Sequence, residues 1–263
     1  MAHRNLGVKS SKHDPGCVTV HVTTYKEGNP CSYRWHAAMR ARAEARIRYP
    51  AEAVERSWND TQKNLAKLAA WVKAGKASAV VPTEGKVGFT VAPFATYWWP
   101  WKNHAHHIIP RSVLVGVLEK IASKADPHEH RMFDVMIHGL LDEEYNVNAK
   151  PNVMILPTLD RDAVAMNLPR HLEGKGSGTA DHPRYSRAVR MQVLGELKPM
   201  YVSLAAVMKS RKHQGEDEAP PVRPVLEAIS HATYEAILAQ AAAHRGRGAT
   251  NITLDSIART LYS

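Results

Sequence analysis

The chain has 263 residues, 44% of them apolar, which suffices to fill a core in one large or two modest domains. Its 35 Lys and Arg against 25 Asp and Glu leave a formal net charge of +10, and 15 His add more as the pH falls, so a polyanionic partner is expected, nucleic acid before anionic lipid. No window approaches the ~18–20 apolar residues of a membrane span and the opening "MAHRNLGVKSSKHDPG" lacks the apolar core of a signal peptide, so a cytoplasmic product is expected, with export by a specialised secretion machine the alternative.

In chain order, "CVTVHVTTY" (17–25) alternates valines with polar residues and predicts a half-buried strand. It carries Cys17; Cys31 follows, and two cysteines are too few for a disulfide framework or a four-thiolate zinc site. Thiols are expected, with a single bridge the alternative in an oxidising compartment. From Ser32 to about Arg48 an Ala- and Arg-rich stretch predicts a helix that Pro50 interrupts. Its Arg34, Arg40, Arg42, Arg46 and Arg48 read as a solvated face paired with Glu44, Glu52 and Glu55, or as a patch that tracks phosphates. A second helix carries Val54, Trp58, Thr61, Leu65, Leu68 and Val72 on one face and ends near Gly75.

"SAVVP" and "KVGFTVAPF" read as short strands, and "FATYWWPW" as aromatic core leading into "NHAHHIIPR". "SVLVGVLEKIASKA" and "PHEHRMFDVMIHGLLDEEY" have helical periodicity, the second starting at Asp126 and Pro127. "NVMILP" (152–157) predicts a buried strand, "TLDRDAVAMNL" a short helix, and "EGKGSGTAD" a loop. "DHPRYSRAVRMQVLGEL" predicts a helix capped by Asp181, with Pro183 in its first turn and a bend or end at Pro199. "KSRKHQGEDEAPPVRP" reads as a linker before the helix "VLEAISHATYEAILAQAAAH" and a last short helix from about Leu254.

The crowding of His104, His106 and His107 calls for a chemical reading. Adjacent side chains on a strand point to opposite faces, so of His106 and His107 one can bind a metal while the other accepts a proton. Metal-assisted hydrolysis needs that division: the ion stabilises negative charge, and a base with a pKa near 7 activates water. Past two helices come Asn152 at the start of a strand, then His171, and His182 at the start of a helix, an order that suits a metal-bearing hairpin crossed by a helix.

The motifs "AHHIIP", "NVMILP", "RHLEG" and "DHPRYSRAV", spread over about residues 103–197, resemble the AHH family of the HNH and endonuclease VII nuclease superfamily. The resemblance implies an α+β, mainly helical fold in which a small β-hairpin plus helix, the ββα-metal nuclease core, is embedded in helices. It implies a metal-dependent endonuclease acting on phosphodiester bonds of DNA, with RNA the second candidate, that serves as a toxin between competing bacteria. By this resemblance His106 is a metal ligand, His107 the general base, and Asn152 the residue that braces the hairpin loop and orients the base. His182 is the favoured second ligand and His171 a further ligand or supporting partner; the insertion "LEGKGSGTAD" between them stands against joint ligation.

Arg111, Arg170 and Arg184 are candidates for neutralising phosphate, and Tyr185 for hydrogen bonding to substrate or to a ligand. One divalent ion is expected, Mg²⁺ in turnover by the resemblance, with Zn²⁺, Mn²⁺ or Ni²⁺ suited to imidazole. Residues 1–95 form an N-terminal strand and helical region, 96–210 the nuclease core, and 211–263 a linker with C-terminal helices. Family habit and the +10 charge also imply a cognate acidic immunity protein. The competing class is a non-catalytic module that binds nucleic acid or protein, with His106, His107, His171 and His182 closed around a structural zinc.

Overall fold

A computed structural model describes residues 17–18, 22–44, 93–171, 182–210 and 218–262. The helix expected over 54–72, the strands expected within 78–92, Arg46, Arg48, Glu52 and Glu55, the whole "EGKGSGTAD" loop and residues 211–217 of the linker lie outside these described residues. Among the described residues the protein is mainly helical, with seven α-helices and one two-stranded antiparallel sheet. In chain order these are α1 (Tyr33–Ala43), β1 (Asn103–His107), α2 (Arg111–Ala122), α3 (Glu129–Asp142), β2 (Val153–Pro157), α4 (Asp160–Met166), α5 (Pro183–Lys209), α6 (Arg223–Gly246) and α7 (Leu254–Ile257).

The hairpin forms because two short segments, 46 positions apart in the chain at their closest pair, have matching registers: His107 opposes Val153, His106 opposes Met154 and Asn103 opposes Pro157. Every residue of β2 is buried, as an uninterrupted apolar run requires. On β1 alternation puts Asn103, Ala105 and His107 on one face and His104 and His106 on the other. The first face receives α1, where the Arg34 guanidinium donates to Asn103 Oδ1 at 2.9 Å and the Tyr33 ring lies 4.6 Å from the His107 ring. Asn103 is itself a buried hub, its Nδ2 donating to the Trp101 carbonyl at 2.6 Å and so folding the aromatic run back onto the strand.

The arginines of α1 do not behave as a solvated face. Arg34 and Arg40 are buried, and Arg40 NH1 donates to the carbonyls of Lys150, Pro151 and Val153 while its Nε pairs with Glu44 at 2.8 Å. Its guanidinium also stacks 3.5 Å from the centre of the Tyr234 ring on α6, and the Tyr234 hydroxyl donates to Glu44. A planar fork with five donors satisfies several carbonyls at once where the chain turns into β2. Arg42 in turn donates to the Pro93 carbonyl. Ser32 caps α1 by accepting from the Trp35 N–H, and α1 ends at Ala43 with Glu44 extended.

Two further expectations need correction. The segment 17–25 supplies single bridges, Cys17 to Asn146 and Val22 to Ser32, where a regular strand was expected; residues 19–21 lie outside the described set. Helix α5 runs through Pro199 for 27 residues. Its buried stripe, Tyr185, Val189, Val193, Leu197, Tyr201, Ala205 and Met208, recurs at helical spacing on both sides of the proline. Pro199 and Gly195 sit on the exposed face, where water can take the carbonyl that the missing N–H leaves unbonded. Packing of the stripe outweighs that one bond.

Helix α5 begins without a side-chain cap from its own N-cap residue, His182. One of its orphan first-turn donors, the Tyr185 N–H, is satisfied at 3.0 Å by Asp255 of α7, so the far end of the chain caps this helix. Among the described residues no helix is long and apolar enough to cross a membrane.

Candidate metal centre and its histidine neighbour

Three histidines from three separate elements converge. His106 comes from β1, His171 from the segment after α4, and His182 from the N-terminus of α5. Their ligand nitrogens all lie within 4.8 Å of one another, and their ring centres are 4.7 to 5.3 Å apart. Zinc-like ions bind imidazole nitrogen at about 2.0–2.1 Å, so two ligands of one ion stand at most about 4.2 Å apart, and side-chain adjustments of under about 1 Å would close the set. Among the described residues this is the one group of three or more His, Cys, Asp or Glu so arranged.

Each ligand is placed by backbone bonding. The His171 N–H donates to the Pro157 carbonyl at 2.7 Å, continuing the edge of the hairpin past β2. Arg170 beside it forms a single bridge with Thr253, its N–H donating to Ile252 at 2.6 Å. His182 occupies the N-cap of α5, where Pro183 pre-sets the first turn. The two histidines that "LEGKGSGTAD" separates in sequence therefore meet in space, although residues 172–181 lie outside the described set.

His106 is 4% exposed, and its Nε2 is buried with no hydrogen-bond partner among the described residues. A buried polar atom left unbonded costs about 1–3 kcal/mol, so this nitrogen calls for an occupant. Burial first, then the neighbouring His182, His171 and His107, hold its pKa well below the ordinary histidine value, which keeps the imidazole in the neutral form that ligates metal. The residues present thus fit a divalent ion: three imidazoles converge among the described residues, and that of His106 is held neutral.

His107 is not part of that group. It lies half-exposed on the opposite face, and its Nε2 is hydrogen-bonded to Asn148 Oδ1 at 3.0 Å. An amide oxygen only accepts, so His107 donates to Asn148 through Nε2–H. Asn148 escaped the sequence reading because "NVNAK" has no periodicity; its one signal is a second asparagine four positions before Asn152.

Asn152 lies in the short 3-10 turn that enters β2 and is 2% exposed. Its Oδ1 accepts from the Ile109 N–H at 2.7 Å and from Ser230 at 2.9 Å, and its Nδ2 donates to the carbonyls of Ile109 at 3.0 Å and Val147 at 2.8 Å. Those bonds tie the end of β1 to the loop that carries Asn148. The bonds of Asn152 thus run to the end of β1, to Val147 and to Ser230, and the side chain bonded to His107 is Asn148.

The remaining candidates divide. Tyr185 is fully buried, its ring 5.2 Å from His106 and 5.5 Å from His182, and its hydroxyl donates to the Ile108 carbonyl at 2.6 Å. It is packing behind the histidines and not a substrate contact, because its one donor is already used inside the core. Arg170 is engaged by Asp160 at 3.0 Å. Arg184 stands exposed in the first turn of α5, and Arg111 is half-buried in the first turn of α2. His104 has its ring 5.1 Å from that of His171 and so borders the cluster.

No protein-family model, no curated protein and no solved structure matches the chain.

Proposed function

We propose that this protein is a metal-dependent endonuclease that hydrolyses phosphodiester bonds of DNA, with RNA the second candidate substrate. The observation that carries the reading is the pairing of a three-imidazole cluster with an adjacent histidine that lies on the opposite face of the strand, hydrogen-bonded to an asparagine. Strands β1 and β2 and helix α5 then correspond to the hairpin and helix of a ββα-metal core.

On this reading His106, His171 and His182 hold one divalent ion, and Tyr185 backs two of their rings. The ion would supply positive charge against the scissile phosphate and stabilise the departing 3′ oxygen. His107 accepts a proton from water at Nδ1, because Asn148 occupies Nε2. Asn148 is a positioning residue, and Asn152 fixes the loop that carries it. Arg184, exposed beside His182, offers a guanidinium to a phosphate oxygen, and the +10 net charge favours the polyanion at long range. Hydroxide attack in line with the 3′ oxygen leaves 5′ phosphate ends.

Imidazole-only donors suit Zn²⁺, Ni²⁺ or Mn²⁺ better than Mg²⁺, which prefers oxygen. A closed structural zinc site needs four ligands, and His107, the fourth member of that alternative set, is bonded to Asn148. On this reading the three histidines that converge among the described residues hold the ion with a position left for chemistry.

The test is plasmid cleavage by the full chain with Mg²⁺, Mn²⁺, Ni²⁺ or Zn²⁺, with a structured RNA in parallel. Wild type is expected to nick DNA and to be silenced by EDTA; His107→Ala is expected to abolish cleavage while binding the same one equivalent of metal. Intact plasmid under every metal, with His107→Ala losing metal and melting early, would establish the structural-zinc reading instead. A toxin function implies that a neighbouring open reading frame encodes an acidic immunity protein; co-expression tests this, and toxicity that no neighbouring frame relieves would refute it.

A further inference from the structure

The chain contains two cysteines, and the fold brings them together. Cys17 is fully buried and Cys31 nearly so, and their sulfurs are hydrogen-bonded at 3.6 Å. Each is anchored to a different wall around His107. Cys17 is stitched into the loop before β2: its N–H donates to the Tyr145 carbonyl and its carbonyl accepts from the Val147 N–H, both at 2.8 Å. Its sulfur also accepts from Asn148 Nδ2 at 3.5 Å, and the Oδ1 of the same amide group holds His107. Cys31 immediately precedes Ser32, the cap of α1, whose first residue, Tyr33, packs against the His107 ring. The walls already touch, Asn146 Nδ2 donating to the Pro30 carbonyl at 2.8 Å.

We propose that Cys17 and Cys31 are a disulfide-forming pair whose closure joins the Asn148 loop to the start of α1 and thereby resets the hydrogen bonding of His107. Bond formation requires the sulfurs to approach from 3.6 Å to about 2.05 Å, a movement within the reach of side-chain rotation. Cys31 is the attacking group: it is the more accessible of the two sulfurs, and its contact with Cys17 lowers its pKa to about 7 against the opposing effect of burial, which favours the thiolate.

The co-reactant is a small aliphatic disulfide such as oxidised glutathione. The Cys31 thiolate bonds to one of its sulfurs, its S–S bond breaks, and one glutathione thiolate leaves. Cys17 then gives its proton to solvent and attacks the Cys31 sulfur, expelling the second glutathione thiolate. Two protein thiols are oxidised by two electrons, and one disulfide is reduced to two thiols. Closure draws the Cys17 sulfur toward Cys31 and away from its present place under Asn148 Nδ2, so the amide that holds His107 must readjust.

The experiment equilibrates the full-length protein in glutathione buffers of increasing oxidised fraction, traps thiols by alkylation after unfolding, and reads intact mass. The expected product is a monomer lighter by about 2 Da, with no adduct and no alkylatable thiol, melting roughly 5 °C or more above the reduced form. Cys17→Ser and Cys31→Ser should each abolish the shift. Imidazole ¹⁵N resonances of His107, assigned by comparison with His107→Gln, should differ between oxidised and reduced wild type and stay fixed in Cys31→Ser. A stable glutathione adduct, an intermolecular dimer, or two thiols that persist under oxidised glutathione would overturn the pair; a bridge that leaves the His107 resonances unchanged would overturn the link to His107. These readings require no nuclease activity, so they can fail or succeed independently of the proposed function.

Discussion

Replacing Asn152 by Ala is the sharpest probe of how the hairpin is held. The side chain is 2% exposed and makes four hydrogen bonds at 2.7 to 3.0 Å, to the Ile109 N–H, the Ile109 and Val147 carbonyls and the Ser230 hydroxyl. Truncation leaves those groups buried with nothing in the vacated space but, at best, a water. An unsatisfied buried group costs about 1–3 kcal/mol; if water rescues half of the four, a loss of about 2–6 kcal/mol remains. Asn152→Asp retains the two acceptances at Oδ1 but loses both donations and buries a charge, so it should be no better. Urea unfolding followed by far-UV dichroism measures the loss. A destabilisation under about 1 kcal/mol for Asn152→Ala, with the hairpin amides still protected from hydrogen exchange, would show that the loop does not depend on this side chain and would refute the reasoning.

Other outcomes follow from the same geometry. His106 has a pKa far below its unfolded value, so the unfolded chain takes up a proton near pH 6.5 that the native state refuses; stability should be flat above about pH 7 and fall by up to about 1.4 kcal/mol per pH unit below it, and His106→Gln should remove that part of the slope. Titration with Co²⁺ should show one site of tetrahedral type that each of His106→Ala, His171→Ala and His182→Ala weakens by more than about tenfold, whereas an unchanged affinity in any of the three would remove that residue from the ligand set. Tyr185→Phe should cost about 1 kcal/mol of stability, read by thermal melting, because only the bond to Ile108 is lost while the ring remains. Asn148→Ala should lower kcat for cleavage by about 10²-fold with metal affinity and KM little changed, and a large rise in KM would point to a role in substrate binding instead.

Strand β2, the order of the later helices and the position of His182 were readable because each has a local signature: an apolar run bounded by turn residues, an i, i+4 stripe, a histidine beside a proline that starts a helix. What escaped depends on partners distant in sequence. The arginines of α1 look like a charged surface in any window, and only the carbonyls of Lys150, Pro151 and Val153, more than a hundred positions on, make Arg40 an internal brace. Pro199 is tolerated because the turn containing it faces solvent, a fact about packing and not about proline. Tyr185 was read as polar and available, yet its hydroxyl serves the Ile108 carbonyl 77 positions earlier. Asn148 could be separated from Asn152 only once both had partners.

The capping of α5 by Asp255 bears on how the protein can be taken apart. Ser230 reaches Asn152, Tyr234 lies under Arg40, and Ile252 accepts from the backbone of Arg170, so the last fifty residues touch the histidine cluster's scaffold at four points. A fragment stopped near residue 210 would strip the first turn of α5 of its anchor while deleting none of the histidines. Truncation series would therefore report on architecture, and point substitutions are the better instrument for dissecting chemistry in this chain.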